Sequence, residues 1–279
     1  REFGMNYWSN ALHSWEDFPD VRGTINGSLG CEFEKFQRGL VTEFLSWQAD
    51  IVREYKREDQ FITQNFDFEW RNYSFGVQPD VDHFRASKCL DIAGCDIYHP
   101  TQSKLTGKEI AFGGDMTRSL KQDNYYVLET EAQGFAQWVP YDGQLRLQAF
   151  SHLAGGADCV EYWHWHSIHN SFETYWRGLL SHDFAENKTY KEAVVIGSEM
   201  KRLGSRLIHL KKQNKVAIMV SNEALTGLKW FPIGGGTEMS YNDVVRWIYD
   251  ALYEMNVECD FVSPDAENLE DYKMLILPA

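Results

Sequence analysis

The sequence predicts an α/β protein: the C-terminal half of a (β/α)8 barrel over residues 1–211, then part of a flavodoxin-like α/β domain over 212–279. Three observations predict it. Four apolar runs alternate with stretches of helical period, the pattern of parallel β-α units. Each run ends in a polar side chain, at the edge where a parallel barrel carries its active site. After Lys211 a fresh β-α-β order begins. A closed barrel needs about eight units, and the sequence offers about half of them. The rival fold for the first region is an open doubly wound sheet, which no glycine-rich phosphate loop supports.

The elements follow in order. Residues 1–27 are irregular and aromatic (FGMNYWSNALHSWEDFPD, then a glycine-rich turn). Asn26-Gly27-Ser28 can cap a helix. Phe33, Phe36, Leu40, Phe44, Trp47, Ile51 and Tyr55 then recur at helical spacing, which predicts a long amphipathic helix over 28–57. Gln60 to Phe66 reads as a buried strand followed by a loop. A helix-like patch from Val81 to Asp91 leads to a second strand, 94–100. The run 108–121 reads as an extended piece and then a helix or loop. The third strand covers 125–130, a helix runs from Leu145 to Leu153, and the fourth strand spans Ala157 to Trp165. A long polar loop and a helix over 189–208 complete the first region. Beyond a basic, polar linker at Leu207 to Asn214, KVAIMVSN (215–222) is a strand and Tyr241 to Met255 an amphipathic helix. VECDFVSP and YKMLILPA hold two further strands.

Composition narrows the function. The chain has 279 residues, 43% of them hydrophobic, enough for a sizeable core. Its net charge of −14 argues against a nucleic-acid or anionic-membrane partner, both of which need a basic patch. It favours a soluble protein acting on a neutral substrate. Five cysteines stand singly with no CxxC pair, which argues against a zinc cluster within this chain and points to reduced thiols in a cytoplasmic setting. There is no signal-peptide pattern and no long apolar run. The chain starts at Arg-Glu-Phe-Gly and stops after an apolar run, which reads as a piece of a longer polypeptide.

The most informative segment is YYVLETEAQGFAQW, 125–138. An apolar strand opens on Glu129 and Glu131, which alternation along a strand points the same way. Phe135, Gln137 and Trp138 follow. A carboxylate at a strand mouth among flat rings suits attack on an anomeric carbon, with the rings stacked on a sugar face. Glu129 is the candidate nucleophile; Glu131 is better read as a hydrogen-bonding wall residue. Two solvated glutamates at a strand end is the bland alternative. In EYWHWHSIHNSFETYWRG, 161–178, His164, His166 and His169 have a spacing open to metal ligation, but no Asp or Cys is spaced to complete a set. Polar histidines lining a strand end beside Trp163 and Trp165 is the simpler reading. Glu173, framed by Phe172, Tyr175 and Trp176, suits the hydroxyls of a sugar, or is a surface acid. Tyr98 is placed to hydrogen-bond the nucleophile and Arg118 to hold its charge; a core tyrosine and a salt-bridged arginine are the default readings.

Together FGMNYWSNALHSWEDFPD, TQNFDF, CDIYHP, DMTRSL, YYVLETEAQGFAQW, EYWHWHS and HNSFETYWRGLLSHD resemble glycoside hydrolase family 42, the β-galactosidases of the (β/α)8 clan. The resemblance implies strands five to eight of the barrel, with Glu129 as nucleophile on strand seven and Tyr98 beside it. It implies Trp138 and Trp163 flanking the sugar, and Glu173 on the galactose hydroxyls. Trp176 stands where many members carry a histidine, and Trp138 lies one residue further from Glu129 than in some members. The family's acid/base, the Glu of an Asn-Glu pair after strand four, would lie upstream of Arg1. The region after Lys211 would belong to a domain making homotrimer contacts. The substrate implied is a small β-galactoside, with no metal or organic cofactor. The alternatives are a non-catalytic galactoside-binding or assembly protein on this fold, and an α-L-arabinopyranosidase.

Overall fold

A computed structural model describes residues 13–18, 20–24, 26–71, 74–133, 139–233, 240–267 and 269–278. In chain order the elements are α1 (Gly27–Tyr55), β1 (Asn65–Asp67), β2 (Glu69–Arg71), β3 (Ser74–Phe75), α2 (His83–Ala86), β4 (Gly94–Asp96) and α3 (Lys108–Lys121). Then come β5 (Tyr125–Glu131), α4 (Gln144–Ala154), β6 (Ala157–Trp163), α5 (Lys188–Leu207), β7 (Val216–Met219), α6 (Asn222–Trp230), α7 (Tyr241–Glu254), β8 (Asp260–Val262) and β9 (Met274–Ile276).

Among the described residues, β1, β4, β5 and β6 form one sheet in that order, every pair parallel. Each strand lies beside the next one in sequence, with α3 and α4 as crossovers. A barrel builds in this way, whereas a doubly wound sheet reverses direction partway. The second sheet does reverse: β7 lies between β8 and β9, again all parallel. The α/β class and both parallel sheets therefore match the expectation.

Helix α1 starts where the sequence places it, with the Asn26 side chain accepting from the Leu29 N–H at 3.0 Å. Its apolar stripe, however, faces solvent: Phe36, Leu40, Phe44, Trp47, Ile51 and Tyr55 are all exposed. The helix packs through its other side. Gly27 and Gly30 leave room for the rings of Phe231 and Trp230 at the end of α6, where an added Cβ would collide with them. Buried Arg38 donates to Thr226 Oγ1 at 2.9 Å.

The run 108–121 is helical throughout rather than partly extended. Gly113 and Gly114, poor helix formers in isolation, let α3 lie close against the first sheet. A Cβ on Gly113 would stand 2.8 Å from Ile97 Cδ1, and one on Gly114 would strike the Tyr125 hydroxyl. On its far side Phe112 packs edge-on against Tyr249 and Phe261, at ring-centre distances of 4.9 and 5.0 Å. Helix α3 is thus shared between the sheets, and a single apolar core runs from Phe66, Cys95 and Tyr125 through Phe112 to Ile218, Val245 and Phe261.

Other differences are local. The strand expected at 60–66 is regular only over Asn65–Asp67, and the β2–β3 hairpin follows it. The patch at 81–91 is a one-turn helix, α2, and a 3₁₀ turn. Helix α6 was absent from the sequence reading; Ser221 caps it by accepting from the Ala224 N–H at 3.1 Å. The linker lies against the start of the first sheet, where the His209 N–H donates to Asp158 and Asn124 Nδ2 donates to the Leu210 carbonyl.

Candidate active site

The site lies at the C-terminal edge of the first sheet. Parallel register brings Asp67 beside Asp96 and Asp96 beside Glu129, so β1, β4 and β5 end in a row of three carboxylates. Tyr98, just past β4, donates its phenol to Glu129 Oε1 at 2.7 Å. Burial, and then that same bond to Glu129, push the phenol's pKa far above its usual range, so Tyr98 stays a donor.

Asp96 is the neighbour the sequence reading missed. Burial first, and then the charge of Glu129, raise its pKa to about 7, against the opposing hydrogen bond from Asn65 Nδ2 at 2.9 Å. Asp67 is raised as well, mainly by burial. The available signal was an acid at each strand end, in NFD and CDIY; strand register is what aligns them.

The loop after β6 supplies the rings. It folds back on itself: the Leu179 and Leu180 N–H groups donate to the His164 and Trp165 carbonyls at 2.7 and 2.9 Å. Gly178 sits where a Cβ would stand 2.6 Å from the His164 carbonyl oxygen, so the fold-back needs glycine there. This brings Trp176 edge-on to Tyr98, ring centres 5.3 Å apart, with its indole N–H toward the Trp163 carbonyl at 3.4 Å. Trp163 ends β6, more than a third exposed. Glu173 accepts from the Trp176 N–H at 2.8 Å through its backbone carbonyl. Its half-buried carboxylate acts on His164, partly offsetting the fall that burial and then His166 impose there.

The structure therefore brings Glu129, Tyr98, Trp163 and Trp176 together, with Glu173 on the same loop. Trp138 lies outside the described residues. Arg118 is placed elsewhere: it sits late in α3, near the start of β5 rather than its end, because a crossover helix runs antiparallel to its strands. There it pairs with Asp115 at 2.6 Å and Asp260 at 2.7 Å and donates to the Gly155 carbonyl. Its partners are structural, and Glu129 is not among them.

Glu129 and Glu131 also part company. The ladder slips between Val127 and Thr130, so simple alternation fails. Glu129 meets Tyr98, while Glu131, 2% exposed, turns to the next residue, His99. Among the described residues no group of three or more potential ligands converges on a metal site. His166 Nδ1 and His182 Nε2 each lie 2.9 Å from a backbone carbonyl oxygen, and His169 Nε2 contacts the His182 carbonyl.

Consecutive parallel strands with a carboxylate held at their C-terminal edge among aromatic rings define a class, the (β/α)8 barrel proteins, which carry their sites at that edge. The model of glycoside hydrolase family 42, described as β-galactosidase, matches residues 1–203. The chain belongs to that family. It is 25% identical over 290 residues to β-galactosidase BgaA of Clostridium cellulovorans, covering 100% of this chain and 42% of that protein. It is 27% identical over 298 residues to β-galactosidase BgaH of Haloferax lucentense, covering 99% of this chain and 42% of the relative. A β-galactosidase from the psychrophilic Marinomonas ef1 shares the fold, with a TM-score of 0.86 at 24% identity over 100% of this chain and 45% of that one. The chain spans about 42% of the length of the curated relatives it matches. The first sheet is thus part of a (β/α)8 barrel, and the chain is a fragment by comparison with its relatives.

Proposed function

We propose that this chain carries the nucleophile half of a retaining β-galactosidase. The observation that carries the reading is the Tyr98–Glu129 hydrogen bond at 2.7 Å, at the mouth of a barrel strand. Glu129 attacks the anomeric carbon of a terminal β-D-galactoside as the glycosidic bond breaks, forming a galactosyl-enzyme. A carboxylic acid from the preceding barrel strands, outside these 279 residues, protonates the leaving oxygen and then takes a proton from the water that releases galactose. Tyr98 donates to Glu129 and keeps it aimed. Trp163, Trp176 and Trp138 pack on the ring, and Glu173 accepts from galactose hydroxyls. The reading needs no metal or organic cofactor. The region after Lys211 fits a homotrimer contact domain, and the location is cytoplasmic.

The test is Glu129→Gln in the full-length protein, assayed on an aryl β-galactoside. Turnover falls by three orders of magnitude or more while the melting temperature stays near wild type. Substantial residual turnover from a pure preparation rules the assignment out.

A further inference from the structure

Behind the candidate nucleophile, on the helix side of the first sheet, lies a buried polar contact that the chemistry above does not use. Glu131 and His99 are 2% and 1% exposed. The His99 backbone N–H points at both carboxylate oxygens of Glu131, at 3.3 and 3.4 Å, and the ring Nδ1 lies 3.1 Å from Oε1. Nδ1 is also 3.1 Å from the Pro100 carbonyl oxygen. A carbonyl and a carboxylate both accept, so Nδ1 carries the hydrogen. Thr130 ties the same strands together, its hydroxyl donating to the Ile97 carbonyl at 2.7 Å. His152 of α4 closes the layer, ring centres 6.2 Å from His99, and burial holds its pKa down to about 3, so it stays neutral.

Tyr98 and His99 are consecutive, and Glu129 and Glu131 are two apart. The same two segments are therefore joined on both sides of Tyr98: before it the Ile97 N–H donates to the Glu129 carbonyl at 3.0 Å and the Ile97 carbonyl accepts from Thr130, Tyr98 itself meets Glu129 on the site side, and after it His99 meets Glu131 on the helix side. A carboxylate buried this deeply is unfavourable unless its hydrogen bonds are retained. Here they fix where the chain carrying Tyr98 stands relative to β5. We infer that Glu131 is a positioning residue, a clasp that through His99 holds the Tyr98 phenol on the nucleophile. The inference rests on the reading of Glu129 as nucleophile.

The experiment is a double-mutant cycle in the full-length protein with Glu131→Ala, Glu131→Gln and Tyr98→Phe, alone and combined. Glu131→Ala lowers kcat roughly ten- to a hundredfold, as a misplacement on the order of 1 Å does, with KM within about twofold. Glu131→Gln keeps an acceptor for the His99 N–H, stays folded and loses less. In the Tyr98→Phe background both changes lose most of their effect, because the bond they position is gone. Equal factors in both backgrounds, or a wild-type kcat in folded Glu131→Ala, overturn the clasp. Wild-type protein is treated in parallel with a 2-deoxy-2-fluorogalactoside bearing an activated leaving group. Absence of label on the Glu129 peptide defeats the nucleophile reading, whereas label there with additive mutants defeats the clasp alone.

Discussion

Glu129 stands between Tyr98, which donates to it, and Asp96, beside it in the sheet register. The Tyr98 phenol donates to it at 2.7 Å, and a hydrogen bond to a charged group contributes roughly 1.5–3 kcal/mol. Tyr98→Phe is expected to lower kcat/KM by roughly one to two orders of magnitude at neutral pH, measured on an aryl galactoside. Asp96 presses from the other side. Its folded pKa of about 7 lies above the ordinary carboxyl value of 3.8, so the folded state binds more protons than the unfolded one between those limits. The sign follows: stability falls as pH rises from about 4 through about 7. Asp96→Asn keeps a partner for Asn65 and removes the titration. The variant's melting temperature should gain on wild type across that window, and parallel melting curves would show that Asp96 does not titrate there. Of these residues the sequence displayed Glu129 and Tyr98, because each ends an apolar strand in a recognisable segment. Asp96 as a neighbour, and the divergence of Glu129 from Glu131, depend on register and on the slip after Val127. Neither leaves a trace in a single strand's pattern.

Among the elements, α3 was the least legible. Its paired glycines look like breakers, yet they are what lets the helix approach Ile97 and Tyr125. Gly114→Val should therefore destabilise the protein by several kcal/mol, since the Tyr125 hydroxyl is fixed in a dense layer and overpacking alone costs about 1–3 kcal/mol. Chemical denaturation checks this; a variant as stable as wild type would mean that α3 can move off the sheet freely. Arg118 shows why the helix mattered to the site. The sequence offered Arg118 as the group that holds the nucleophile's charge; with the whole run 108–121 helical, it lands at the other end of β5 and joins the sheets through Asp260. Helix α6 was missed because its nine residues include Gly227 and are stabilised mainly by packing against α1.

At the scale of the whole molecule, the alternation of four strands with helices was enough to recover the barrel. The reverse order of the second sheet follows from a β-α-β pattern only once the strands are paired. The amphipathic period of α1 gave its existence but not its orientation. Phe36, Leu40, Phe44, Trp47, Ile51 and Tyr55 lie open on one face, a contiguous apolar surface of the kind that associates in water. The 279-residue chain on its own is expected to self-associate, read by light scattering. Phe44→Glu with Trp47→Lys should reduce that association without changing helical content by circular dichroism. A monodisperse wild-type monomer would contradict the expectation.

The claim that joins these scales is that Glu129 is the residue that bonds to the sugar. The most direct test is peptide-mapped mass spectrometry of the full-length protein after treatment with an activated 2-deoxy-2-fluorogalactoside, whose leaving group departs with little help from an acid. The account predicts one fluorogalactosyl unit on the peptide containing Glu129, and none on that peptide in Glu129→Gln. A folded protein that hydrolyses galactosides but carries the label elsewhere, or carries none, would contradict it.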